Sequence, residues 1–124
     1  MVDVRRRPGS RRVPWFSRGV LEEELPRRGI GYVWLGRLLG GFRRGGYEAY
    51  MRTPSYWRGI AVLTRVILES PGPVSLMCRE RLWRRCHRRY IAETLACMGY
   101  EVVHIIDLGV TERHRPRSCR GSVD

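Results

Sequence analysis

Four short apolar runs alternate along this chain with stretches of helical period, and that alternation limits the fold more than any other feature. The runs are residues 2–4 (VDV), 30–35 (IGYVWL), 74–77 (VSLM) and 100–106 (YEVVHII). Each has strand length and reads as buried. Between the first two, Ser17 is a good N-cap for a face of Val20, Leu21 and Leu25, with Glu22 to Glu24 in the early turns, where the helix dipole favours them. Thr53 and Pro54 open a longer helix whose stripe is Trp57, Ile60, Ala61, Thr64, Ile67 and Leu68. Residues 86–98 set Ile91, Leu95 and Met98 on one face, and Gly99 ends that helix. Strands alternating with helices predict an α/β domain of three layers, Rossmann-like, with a short and mostly parallel sheet of about four strands. It spans residues 1–106, and residues 107–124 read as a basic, flexible C-terminal tail.

In such a sheet the carboxyl ends of the strands share one edge, and ligands bind there. The loops at that edge carry Asp3, Arg5 and Ser10, then Gly40, Gly41, Arg43 and Arg44, then Cys78, Glu80, Cys86 and His87, then Asp107. Residues 36–46 hold five glycines, which a backbone needs for positive φ or for close approach to something. The stretch 74–91 is the centre of interest: a buried strand ends in Cys78, a basic loop with Glu80 follows, and Cys86, His87, Arg88 and Arg89 open a helix. A helix N-terminus among arginines stabilises an anion or a thiolate, so Cys86 is a candidate low-pKa thiol. His87, one residue on, would point about 100° away around a helix and so need not touch it.

Cys78 and Arg84 have the cysteine-x5-arginine spacing of thiol-dependent phosphatases. The loop between them holds Glu80, Leu82 and Trp83, whereas a phosphate cradle wants small residues and no carboxylate. Rhodanese-like sulfur transfer meets the same objection. The alternative readings are plainer: Cys78 as a small buried hydrophobe, Glu80 as charge balance, and His87 hydrogen-bonded to a loop carbonyl. Asp3, at the end of a buried strand, needs a partner, which Arg5 or Arg88 supplies. His104 reads as a core histidine, and Cys97 and Cys119 have no evident chemistry.

Several blocks resemble the bacterial and archaeal family known as domain of unknown function 488. They are VDVRRRPGSRR with Phe16, GIGYVWL followed by LGG, YEAYMRTPSYWRGIAVL, LMCRERLWRRCHRRYIAETL and GYEVVHI. The cysteine-x-glutamate and cysteine-histidine-arginine pattern is the most specific of these. The resemblance implies the same alternating layout and a site at this motif, and it implies no reaction. Family members usually begin with a further strand and helix before the aspartate-arginine block, so the sheet here is expected to lack that strand. The flank it would cover is a place for a second copy in a homodimer.

Composition bounds the partners. The 124 residues carry a net charge of +12, with all 24 basic residues arginine and no lysine, asparagine or glutamine. This usage reads as a genome-wide bias with avoidance of thermolabile amides, as in a thermophile. The charge still attracts phosphates. No run approaches the ~20 apolar residues that span a bilayer, and the N-terminus lacks the apolar core of a signal peptide, so the expected location is cytoplasmic with no membrane partner. The four cysteines crowd into the C-terminal half and are expected to be reduced thiols.

Two functions fit. The first is a small-molecule enzyme acting on a phosphorylated or nucleotide-like anion, with Cys78, Glu80, Cys86 and His87 reactive and Arg5, Ser10, Gly40, Gly41, Arg43 and Arg88 holding the anion; Asp3 is structural or orients them. The alternative is a nucleic-acid-binding module with a structural Cys/His site, in which Trp15, Phe16, Phe42 and Trp83 stack among arginines. No metal is favoured; were one bound, Cys78, Cys86 and His87 would be its ligands and zinc the ion they suit.

Overall fold

A computed structural model describes residues 1–9 and 12–119. The chain is mixed α/β, and its contacts divide it into two compact units, Met1–Arg79 and Glu80–Asp124.

The first unit is built on a parallel three-stranded sheet. Strand β1 (Val2–Asp3) lies between β2 (Val33–Trp34) and β3 (Leu76–Met77). The register pairs Asp3 with Trp34 on one side and with Met77 on the other. The ladder runs one residue further, since Leu35 N–H donates to the Asp3 carbonyl at 2.9 Å and Val4 N–H to that of Met77 at 2.9 Å. Val2, Asp3 and Val4 have no exposed surface. A central parallel strand is covered on both faces, which explains an apolar run without alternation.

Helices α1 (Arg18–Arg27), α2 (Gly36–Leu39), α3 (Tyr47–Tyr50) and α4 (Pro54–Glu69) complete this unit. Thr53 caps α4 as expected, its Oγ1 accepting from Tyr56 N–H. The buried face of α4 is Tyr56, Gly59, Ile60 and Leu63. It is rotated from the predicted stripe, and Trp57 and Leu68 are exposed. The reason is Gly59. A Cβ there would stand 2.7 Å from Leu39 Cδ2, so the helix turns its one bare position toward α2. The hydroxyls of Tyr47 and Tyr50 donate to the carbonyls of Leu39 and Leu38, satisfying the open end of α2.

The second unit holds a 3-10 turn (Trp83–Arg85), helix α5 (Arg88–Cys97), and strands β4 (Val103–Asp107) and β5 (Val110–Arg113). The four-stranded parallel sheet needs correction here: β4 does not join β1–β3 but pairs antiparallel with β5. Gly109, at φ +69°, makes the tight reversal between them. Along β4, His104 is buried while Val103 and Ile105 are exposed. Only one face of this strand is covered, as a hairpin allows and a central parallel strand does not. Residues 110–113, within the stretch read as a tail, thus form a strand. A second correction concerns the thiols. Cys97 and Cys119 form a disulfide, whereas Cys78 and Cys86 are not disulfide-bonded. Cys97 lies on α5 and Cys119 beyond β5, so chain reversal at the hairpin brings together two residues 22 apart. No helix among the described residues is long and apolar enough to cross a membrane.

Candidate anion and thiol sites

The predicted site residues fall into both units. Asp3, Arg5, Gly40, Gly41, Arg43 and Cys78 belong to the first; Glu80, Cys86, His87 and Arg88 belong to the second. Ser10 lies outside the described residues.

In the first unit Asp3 finds its partner two residues away. Its Oδ1 accepts from Arg5 Nε–H at 2.8 Å and Arg5 N–H at 3.0 Å, and its Oδ2 from an Arg5 terminal N–H at 2.7 Å. The Tyr32 hydroxyl also donates to Oδ2. Burial alone would raise the Asp3 pKa, but the hydrogen bonds from Arg5 and Tyr32 and the Arg5 charge together hold it below the usual carboxylate range. Burial and the Asp3 carboxylate push the Tyr32 phenol up. The Arg5 fork therefore already grips one carboxylate, at 6% exposure.

The glycine-rich stretch earns its glycines by close approach. A Cβ on Gly36 would lie 1.8 Å from the Arg5 carbonyl oxygen, and one on Gly40 2.7 Å from Arg6 Cβ. Gly45 and Gly46 take positive φ. Arg43 closes the same turn: its Nε–H donates to the Gly40 carbonyl at 2.8 Å and a terminal N–H to that of Arg37 at 2.6 Å, while its guanidinium lies over the Tyr50 ring at 3.9 Å. Burial lowers the Arg43 pKa. Beyond it, Phe42 is the one non-glycine with positive φ among the described residues and is 93% exposed. The Arg6 side chain donates to its carbonyl at 2.7 Å. Cys78 directly follows β3 and is half-buried.

In the second unit α5 begins at Arg88, so Cys86 and His87 precede its first turn. The 100° separation expected of neighbours within a helix does not apply, and Cys86 Sγ lies 3.6 Å from His87 Nδ1. Cys86 is buried, and its sulfur accepts from Arg88 N–H at 3.4 Å and Arg88 Nε–H at 3.3 Å. The far end of Arg88 donates to the carbonyls of Glu80 and Arg81, tying the preceding loop to the same guanidinium. Glu80 turns back on its own loop, Oε1 accepting from Leu82 N–H at 3.2 Å, and is exposed.

Sequence reading overlooked a second cluster in this unit. Glu93 Oε1 lies 2.8 Å from His114 Nε2, and His114 Nδ1 lies 2.9 Å from His104 Nε2. Trp83 stacks on the His104 ring at 3.7 Å, nearly parallel, and its indole N–H donates to Glu112, which Arg84 also bridges. A carboxylate accepts, so His114 donates from Nε2 to Glu93, and its Nδ1 shares the second hydrogen bond with His104 Nε2. Burial, then the His114 ring, lower the His104 pKa to about 4. Burial would raise Glu93, but the His114 hydrogen bond and the backbone N–H groups of Ser118 and Arg117 hold it low. His104 is the core histidine expected. The missed signal was His114: His104 and Glu112 are cross-strand partners, and the same register carries His114 past the end of β5 beside them.

The family model for "Domain of unknown function DUF488" matches residues 1–46 and 41–95. No curated protein and no solved structure gives a significant match. The family match runs through both the aspartate-arginine pair of β1 and the Cys86-His87-Arg88 corner that opens α5, and by it the chain belongs to the DUF488 family.

Proposed function

We propose that this protein is a small-molecule enzyme that acts on a phosphorylated or nucleotide-like anion and uses Cys86 as a thiolate. One observation carries the reading: Arg88 directs both its backbone N–H and its Nε–H at the Cys86 sulfur. Hydrogen bonds and positive charge aimed at sulfur favour its anionic form. His87 stands within reach as the proton acceptor. Arg88 on this reading serves the thiolate first, and Glu80 helps shape the loop. The strand order β2-β1-β3 also matches the opening of a doubly wound, Rossmann-like sheet, whose switch point lies where Arg5 follows β1 and Cys78 follows β3.

The test is thiolate absorbance near 240 nm against pH, taken as the difference between the protein and Cys86→Ser. We expect a titration below the ~8.5 of an ordinary thiol, moving upward in Arg88→Met. A Cys86 that titrates at or above the ordinary value refutes the reading. A nucleic-acid-binding module is the second reading, favoured by Phe42 at 93% exposure and Trp15 at 58% among exposed arginines. It requires binding of a single-stranded oligonucleotide that weakens steeply with salt and survives Cys86→Ser.

A further inference from the structure

The second unit contains a pocket of about 770 Å³ whose lining does not include Cys86. That volume is in the range of small-molecule sites, ~300–1,000 Å³. Five arginines line it against two glutamates, and both carboxylates are already engaged. Glu112 holds Trp83 and Arg84; Glu93 holds His114 through one oxygen and the N–H groups of Arg117 and Ser118 through the other. The pocket thus presents a surplus of guanidinium charge. Its apolar wall is supplied by Trp83 and Tyr90.

The wall bearing Arg115 and Arg117 is held in place twice. Glu93 and Cys97 stand four residues apart on α5 and so share a face. The first binds the backbone at residues 117 and 118, and the second is bonded to Cys119. The backbone of an irregular basic segment is in this way fixed across the pocket, so that backbone needs little ordering when a ligand arrives. The Trp83 ring is fixed as well, by His104 on its face and Glu112 on its N–H.

We propose that this pocket is a binding site for a mononucleotide: a flat aromatic base against Trp83 and Tyr90, and a phosphate chain held by Arg115 and Arg117. Arginine forks match phosphate oxygens, and aromatic faces accept any base. The site is independent of the thiolate reading, because none of its lining residues is Cys86, His87 or Arg88.

The test is calorimetric titration of the whole protein with ADP, with adenosine and inorganic phosphate as the separate halves. We expect saturable one-to-one binding of ADP, at least tenfold tighter than either half. Arg115→Ala with Arg117→Ala, both on exposed positions, should weaken it at least tenfold while the circular dichroism spectrum is unchanged. Cys86→Ser should leave it within twofold. Absence of saturation with ADP, phosphate binding as tightly as ADP, or an unweakened double variant each overturns the proposal. Loss of binding in Cys86→Ser overturns its independence from the thiol centre.

Discussion

Removing the Asp3 carboxylate tests how the first unit is held together. Asp3 has no exposed surface, and Arg5, at 6% exposure, answers it through two side-chain N–H groups and one backbone N–H. Asp3→Ala leaves the guanidinium buried without its counter-charge, which costs about 3–5 kcal/mol. The Tyr32 hydroxyl loses its acceptor too, adding about 1 kcal/mol. Against a total of roughly 5–15 kcal/mol for a small domain, the variant should be marginally folded. Urea unfolding followed by far-ultraviolet circular dichroism measures the loss. The companion Asp3→Ala/Arg5→Met removes both charges, so its loss should fall short of the summed single losses by about 2 kcal/mol. The pH dependence has a definite sign. The folded pKa of Asp3 lies below its unfolded value of ~3.9, so its stabilisation is complete above that value and is lost as pH falls through the folded pKa. The variant should lack this acid limb. A loss under about 1 kcal/mol, or strict additivity in the double variant, would refute the reasoning.

Three further outcomes follow from the same structure. Gly36→Ala should cost about 2–3 kcal/mol in the same unfolding assay, because its Cβ would collide with the Arg5 backbone carbonyl and the central strand must shift. Reducing the Cys97–Cys119 bond, which closes a loop of sequence separation 22, should cost about 3 kcal/mol on the chain-entropy account; hydrogen exchange should place the loss in residues 80–119 and leave β1–β3 protected. His104 is held neutral with a pKa of about 4, below the ~6.5 of an unfolded histidine, so stability should fall as pH drops from 6.5 toward 4; in His104→Gln that decline should flatten, as unfolding midpoints across the window will read.

Much of the local structure is written in short-range chemistry. Thr53 and Pro54 start α4 because a hydroxyl and a fixed φ act within one turn. β1 is recognisable as buried because Val2 and Val4 flank an acid with an arginine two residues on, and Asp3 and Arg5 do pair. The glycines of residues 36–46 announce a close approach, although what they approach, the Arg5 carbonyl and Arg6, is a matter of packing. The motif at 78–88 suggests a candidate thiol site from residue types alone.

What remained was decided by tertiary structure, because it depends on partners distant in the chain. Whether residues 100–106 join a parallel sheet or reverse into a hairpin depends on which faces find cover. An apolar run such as YEVVHII permits either, and Gly109 with Val110–Arg113 decides for the hairpin. That reversal carries His114 to His104 and Glu93, and Cys119 to Cys97. Histidines ten residues apart and cysteines 22 apart have no period by which a sequence would couple them. Cys86 stands out in the sequence as a candidate by residue type; the pocket walled by Trp83, Tyr90 and the strapped arginines does not, because its walls come from a turn, a helix and a hairpin that meet only once the chain has folded.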